Sequence, residues 1–154
     1  MLAVMKTILV AVDLSPVSSQ VVRTAAALAR PLDAKIILLY VATPLSSCVP
    51  IGSAMDVASI PMPLSESELK ELHSQLETLA APARAHGLSV TCVVKEALPI
   101  DEIKEQAVAH HADIMVVGSH GHGGLYHLFN GSVVTSLLKQ AELPILVVPV
   151  KKAA

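Results

Sequence analysis

Five short aliphatic runs, nearly free of polar interruption, alternate along this chain with segments whose apolar residues recur every three or four positions. That alternation limits the folds open to it. The runs fall at residues 6–12, 34–41, 88–95, 113–117 and 143–148. Ile8-Leu9-Val10-Ala11-Val12 is typical of them, apolar at every position rather than at every second one, as expected of a strand covered on both faces. Helical spacing occupies 17–30, 65–87, 100–109 and 132–141. Strands that alternate with helices imply an α/β architecture: a single-domain, open, parallel five-stranded sheet with helices on both faces, joined by right-handed crossovers.

Local signals refine the boundaries. Ser15-Pro16 reads as a helix cap followed by proline at the first helical position. Ser65 and Glu68 form a capping box ahead of Leu69, Leu72, Leu76 and Leu79; Gly87 closes that helix, and Pro82 is expected to kink its last turns. Residues 43–64 break the alternation. Pro44, Pro50, Pro61 and Pro63 stand there with Ile51, Met55, Val57, Ile60 and Met62 between them, so a regular element is not expected throughout. Structureless segments of more than about 15 residues are uncommon in compact domains, and the apolar content points to an insertion or lid, or a partner surface, rather than a free linker.

The chemistry concentrates in the glycine-rich stretch from Gly118 to Ser132, which leaves the fourth run and enters the last helical segment. In open α/β sheets, ligands bind beyond the carboxyl ends of the strands, where the strand order reverses. Asp13 ends the first run and Gly118 ends the fourth, so both reach that crevice if the two strands are neighbours. Glycine lets backbone approach a ligand closely, and unpaired N–H groups at a helix start attract phosphate oxygens. The loop is therefore expected to hold a nucleotide phosphate, with a plain strand-to-helix turn as the alternative. A Rossmann dinucleotide fingerprint does not fit, because its glycines follow the first strand, with an acidic residue about 20 positions on.

Composition narrows the partners. A chain of 154 residues suits one domain, 1–154, and 53% hydrophobic against 16% charged residues argues for a packed aliphatic interior. Only Tyr40, Tyr126 and Phe129 are aromatic and the formal charge is -2, so neither base stacking nor electrostatic attraction favours nucleic acid as a partner. Cys48 and Cys92 form no paired motif, in keeping with a reducing compartment. No segment approaches the roughly 18 apolar residues of a membrane span, and the N-terminal run lacks a basic leader and cleavage site. A soluble, cytoplasmic protein is expected.

His120, His122 and His127 have no cysteine or carboxylate nearby in sequence to complete a metal site, and none is assigned. The adjacent His110 and His111 point about 100 degrees apart on a helix and read as solvated or capping residues. No lysine or arginine lies between Gly118 and Ser132, so a triphosphate there would depend on amides, the helix dipole, Mg²⁺ and a protonated His120 or His122. No Ser-His-Asp arrangement, paired carboxylates or activated cysteine can be placed beside the loop, so no catalytic residue is assigned.

Taken together, these residues resemble the nucleotide-binding branch of the universal stress protein family over almost the whole chain, from Ile8-Leu9-Val10-Ala11-Val12-Asp13 to Pro144-Ile145-Leu146-Val147-Val148-Pro149. That family's phosphate motif is glycine, two residues, glycine, nine residues, glycine, then serine or threonine; Gly118, Gly121, Gly131 and Ser132 match it. The resemblance implies a Rossmann-like fold of the adenine nucleotide alpha hydrolase type with strand order 3-2-1-4-5. It also implies a stress-response or regulatory module that binds ATP, or AMP or ADP, with Mg²⁺. By the same resemblance Asp13 faces a ribose hydroxyl, Val41 meets adenine through its backbone, Val117 and Gly118 lie by the ribose, and Gly121, Gly131, Ser132 and the amide of Val133 hold phosphates. His120 and His122 join this set at variable positions where arginine is common, and Val134 stands where relatives often carry a hydroxyl. The aliphatic run 143–148 would form an open edge strand, and the resemblance makes that edge a homodimer interface. A nucleotide-free interaction protein of the same fold and a slow ATP hydrolase are the rival readings.

Overall fold

The computed structural model describes residues 4–50, 57–119 and 132–149. Its strands are β1 (Thr7–Val12), β2 (Lys35–Ala42), β3 (Leu45–Pro50), β4 (Val57–Met62), β5 (Val90–Glu96), β6 (Ile114–Gly118) and β7 (Ile145–Val148). The helices are α1 (Ser18–Leu32), α2 (Glu66–Ala85), α3 (Pro99–Ala109) and α4 (Ser132–Gln140). Five strands form one parallel sheet in the order β5-β2-β1-β6-β7. Counting only the strands of this sheet, that is the expected order 3-2-1-4-5. β3 and β4 pair antiparallel as a separate ribbon within residues 43–64, from Leu45↔Met62 to Pro50↔Val57.

Two apolar layers sandwich the sheet. Ile8, Val10, Val12, Ile36 and Leu38 point toward Val21, Val22 and Ala25 of α1 and Leu76 and Ala80 of α2. Leu9, Ala11, Ile37, Leu39 and Val117 point the other way, toward Ile103 and Ala107 of α3 and Leu137 of α4. Every residue of β1 is buried, which is why its sequence shows no alternation. Burying one Leu or Ile contributes about 1.5–3 kcal/mol, against roughly 1 kcal/mol for a helix cap, so the two layers rather than the caps set the positions of the elements.

At the amino edge of the sheet, the Asp113 carboxylate accepts hydrogen bonds from the backbone N–H groups of Lys6 (2.8 Å) and Thr7 (2.9 Å). This ties the start of β6 to β1 and fixes their register, Ile8↔Ile114 through Ala11↔Val117. At the carboxyl edge, Glu96 accepts from the N–H of Leu64 at 3.0 Å and anchors the chain as it enters α2. The capping box of Ser65 and Glu68 is formed, and α2 continues through Pro82 to Ala85. No helix among the described residues is long and apolar enough to cross a membrane.

One helix start differs from the sequence expectation. α1 begins at Ser18, not at Pro16, and its N-cap residue Val17 makes no side-chain capping bond. Ser15 does not cap the helix: its hydroxyl is buried without a hydrogen-bond partner among the described residues, its N–H donates to the Asp13 carboxylate at 3.0 Å, and its carbonyl accepts from Ser18 N–H to close a turn. Three helices end alike, a residue at positive φ and the one after it turning their N–H groups back onto the last carbonyls. After α2 that residue is Gly87 (φ 84°); after α1 and α3 it is Asp33 (φ 50°) and His111 (φ 51°).

A side chain at positive φ costs roughly 1–2 kcal/mol that glycine avoids, less the extra unfolded-state entropy glycine brings. His111 is exposed and has no side-chain bond among the described residues to lose. His111→Gly is therefore expected to stabilise the fold by about 0.5–1 kcal/mol, and His111→Val to destabilise it. Urea unfolding of both variants checks the sign, and an unchanged midpoint for both would remove the argument.

Candidate functional site

β1 and β6 are hydrogen-bonded neighbours, and the chain crosses over in opposite directions on their two sides. Their carboxyl ends therefore open the crevice at which the strand order reverses. Asp13 stands directly after β1 and Gly118 ends β6. The two line one narrow cleft, with Val12, Val17, Ser18 and Val21 among its walls. The condition set by the sequence, that the first and fourth strands of the sheet lie side by side, is met.

Asp13 is held in place by its own turn. Its Oδ1 accepts from the Ser15 N–H (3.0 Å) and from the Ser18 hydroxyl (2.8 Å). Its Oδ2 is buried with no hydrogen-bond partner among the described residues, as is the Ser15 Oγ. More than nine in ten buried polar groups find a partner, so an orphaned carboxylate oxygen in a cleft marks a place for a donor. Burial, followed by the nearby Asp13 charge, pushes the Tyr40 phenol above its ordinary value. Tyr40 lies opposite Val12 across the β1–β2 ladder.

The remaining expected residues are distributed unequally. Val41 is buried in β2, one residue beyond the last β1–β2 pair, its side chain packed in the layer under α3. Val117 is buried in the same layer, immediately before Gly118. Ser132 and Val133 are the first two residues of α4, where helix N–H groups are unspent. His120, Gly121, His122 and Gly131 lie outside the described residues.

Ser15, Ser18 and Tyr40 escaped the sequence reading. For the serines a signal existed: Asp13, Ser15 and Ser18 are spaced as a carboxylate with a turn amide two residues on and a hydroxyl five residues on. For Tyr40 there was none beyond its place near the end of a strand.

Away from the cleft, Arg84 reaches from α2 to the Val90 carbonyl (2.7 and 3.1 Å), with Glu77 and Cys92 beside it. Burial, then the Glu77 charge, pushes the Cys92 thiol up to about 11, so it stays protonated and unreactive at neutral pH. No cluster of three or more His, Cys, Asp or Glu side chains able to hold a metal occurs among the described residues.

The family model described as the universal stress protein family matches residues 5–149. A universal stress protein of Methanocaldococcus jannaschii is 29% identical over 93% of this chain and 81% of its own length. A universal stress protein of Mycolicibacterium smegmatis is 33% identical over 92% of this chain but 47% of its own length, so the chain spans about half of that relative. Among solved structures, a universal stress protein in complex with cAMP superposes with a TM-score of 0.68 at 21% identity, covering 96% of this chain and 98% of its own. One from Archaeoglobus fulgidus in complex with dAMP gives 0.64 at 21% identity over 97% and 100% of the two chains. One from Arabidopsis thaliana with AMP bound gives 0.61 at 20% identity over 95% and 92%.

The Tyr40 environment can be read directly. A nearby negative charge disfavours tyrosinate, so Asp13→Asn should lower the Tyr40 pKa toward 10 while burial keeps it above that value. With Tyr126→Phe as background, Tyr40 is the only tyrosine and can be titrated by its ultraviolet absorbance. A Tyr40 titration unmoved by Asp13→Asn would show that the carboxylate does not act on the phenol.

Proposed function

The chain belongs to the universal stress protein family, and from that premise we propose that it binds an adenine nucleotide in the crevice between β1 and β6 and works as a nucleotide-dependent regulatory module. One observation carries the reading: Asp13 presents a buried, fixed and unpartnered carboxylate oxygen at the sheet's carboxyl edge, beside Gly118. A ribose hydroxyl is the donor that oxygen lacks. The α4 helix starts at Ser132 and brings N–H groups for phosphate, with the amide of Val133 next in line. His120, Gly121, His122 and Gly131 belong to the same proposed phosphate arm, and the backbone of Val41 to the adenine side. Three related structures hold cAMP, dAMP and AMP, which share an adenine, a sugar and one phosphate.

ATP with Mg²⁺ is the ligand we assign, on the glycine spacing of residues 118–132. Mg²⁺ would add cationic charge to a loop that has no lysine or arginine. Mass spectrometry of nucleotide released on denaturation, followed by equilibrium dialysis with ATP, ADP and AMP, tests the assignment. Asp13→Ala is expected to weaken ATP binding about tenfold to a hundredfold, the range for a lost hydrogen bond to a charged group. Comparing 2′-deoxy and 3′-deoxy analogues identifies the hydroxyl concerned, since the one that loses affinity in wild type should lose none in Asp13→Ala. Absence of nucleotide binding at millimolar ATP overturns the reading in favour of a nucleotide-free interaction protein.

The second part of the proposal is a homodimer through β7. That strand ends the sheet, carries no charge, and leaves Ile145, Leu146 and Val147 half-buried. Its outer backbone groups have no strand partner among the described residues. An isologous pairing of two such edges would cover both. Val147→Glu is expected to convert dimer to monomer in sedimentation velocity at micromolar concentration, with far-UV circular dichroism confirming that the variant stays folded. A wild-type monomer, or a dimer that survives the substitution, refutes this interface.

A further inference from the structure

A sizeable cavity lies away from the β1–β6 crevice. It is a groove of about 560 Å³ between α1 and α2, on the far side of the Asp13–Ser15 turn. That volume falls within the range of small-molecule sites, roughly 300–1,000 Å³. Its lining positions recur every three or four residues from Ser19 to Arg30 on α1 and from Gln75 to His86 on α2, so it follows both helices for about 16 Å. Val22, Ala26, Leu79 and Ala83 form an apolar floor, left open because the facing alanines are too short to fill it.

The rim is polarised in one direction. Arg23 and Arg30, two turns apart on the same face of α1, both line the groove, and no acidic side chain does. Neither guanidinium has a hydrogen-bond or ion-pair partner among the described residues. The other polar groups are committed within their own segments. Thr78 donates to the Ser74 carbonyl, Ser19 to the Pro16 carbonyl and Gln75 to Glu71, while His86 Nδ1 lies 3.0 Å from the Pro82 carbonyl. What remains for a ligand is an elongated apolar surface with two free guanidiniums at its edge, and at one end the Ser15 Oγ, buried without a partner.

We propose that this groove is a second ligand site that takes a long-chain aliphatic carboxylate, the chain lying along the Val22, Ala26, Leu79 and Ala83 floor and the headgroup held by Arg23 and Arg30. The pairing follows from chemistry. Guanidinium matches carboxylate with parallel N–H···O bonds, and an extended hydrocarbon chain matches an elongated trough with an apolar floor. A cationic or neutral amphiphile would gain the floor without the rim. The inference is independent of nucleotide binding at the β1–β6 crevice.

Isothermal titration with dodecanoate, kept below its micelle concentration, tests it on the full chain. Wild type is expected to bind one equivalent at micromolar to tens of micromolar concentration, and dodecyltrimethylammonium at least tenfold more weakly. Arg23→Gln/Arg30→Gln should lose at least tenfold in dodecanoate affinity. Ala27→Phe, at an exposed position on the groove wall, should abolish binding by occupying the trough. Thermal unfolding of both variants without ligand shows whether each is folded, and Arg23→Lys/Arg30→Lys, which keeps the charge, should recover part of the affinity. No binding to wild type, equal affinity for the cationic amphiphile, or undiminished binding in either folded variant overturns the proposal.

Discussion

Backbone pairing on both sides of β1 is the constraint from which the rest of the molecule follows. β1 hydrogen-bonds to β2 from Thr7↔Lys35 to Val12↔Tyr40 and to β6 from Ile8↔Ile114 to Ala11↔Val117. With both faces also covered, each of its residues is buried and no polar side chain beyond Thr7 is carried. A buried polar side chain costs free energy unless it is hydrogen-bonded, so the strand turns polar only where the cover over its two faces ends. That point is Asp13. The ladders to β2 and β6 stop within two residues of it, and the crossovers from these neighbours run to opposite sides. The crevice between β1 and β6 is therefore a consequence of the topology, and a carboxylate at its mouth is positioned by the same pairing that holds the core.

Much of this could be read from the residues, for a physical reason. Strands buried on both faces must be aliphatic at nearly every position, so β1, β2 and β6 stand out against helices with three- and four-residue spacing, while the edge strand β5 is fully buried only at Val90. The Ser65–Glu68 capping box acts through neighbours in sequence and was visible for that reason. The start of α1 was not. Ser15-Pro16 has the local chemistry of a helix start, but the Ser15 hydroxyl makes no capping bond among the described residues and the helix begins two residues after Pro16. The β3–β4 ribbon was hidden by prolines. A two-stranded ribbon leaves each strand one unpaired edge, where proline is tolerated, and Pro50 and Pro61 both stand in this ribbon.

The site was legible in proportion to how far its residues depend on the backbone alone. Asp13 and Gly118 are placed by where strands end, and sequence periodicity reveals strand ends. Ser18 and Tyr40 enter through side chains. One reaches back from the first turn of α1, and the other stands across a ladder whose register no single sequence fixes. The α1–α2 groove was illegible for a related reason. It depends on how closely two helices approach, and the same alanine-rich faces would read as ordinary packing surface at a slightly shorter separation.

The turn from Asp13 to Ser15 shows how a fixed site is made from such parts. Leu14 adopts φ 59°, an arrangement that disfavours a branched side chain by roughly 1–2 kcal/mol. It is held there by two hydrogen bonds to Asp13 Oδ1 and by packing of the Leu14 side chain against the α1–α2 layer. Two charge-assisted hydrogen bonds together contribute about as much as the strain removes or more, so the bent conformation is over-determined. Because Oδ1 is spent on this restraint, the carboxylate cannot rotate freely, and Oδ2 is held buried and without a partner among the described residues before anything arrives. A ligand donor meeting that oxygen has little side-chain entropy left to remove, since folding has already fixed the rotamer. Strain, restraint and orphaned oxygen are thus one arrangement: the turn that is least favourable by backbone preference is what makes the sheet edge a receptive surface.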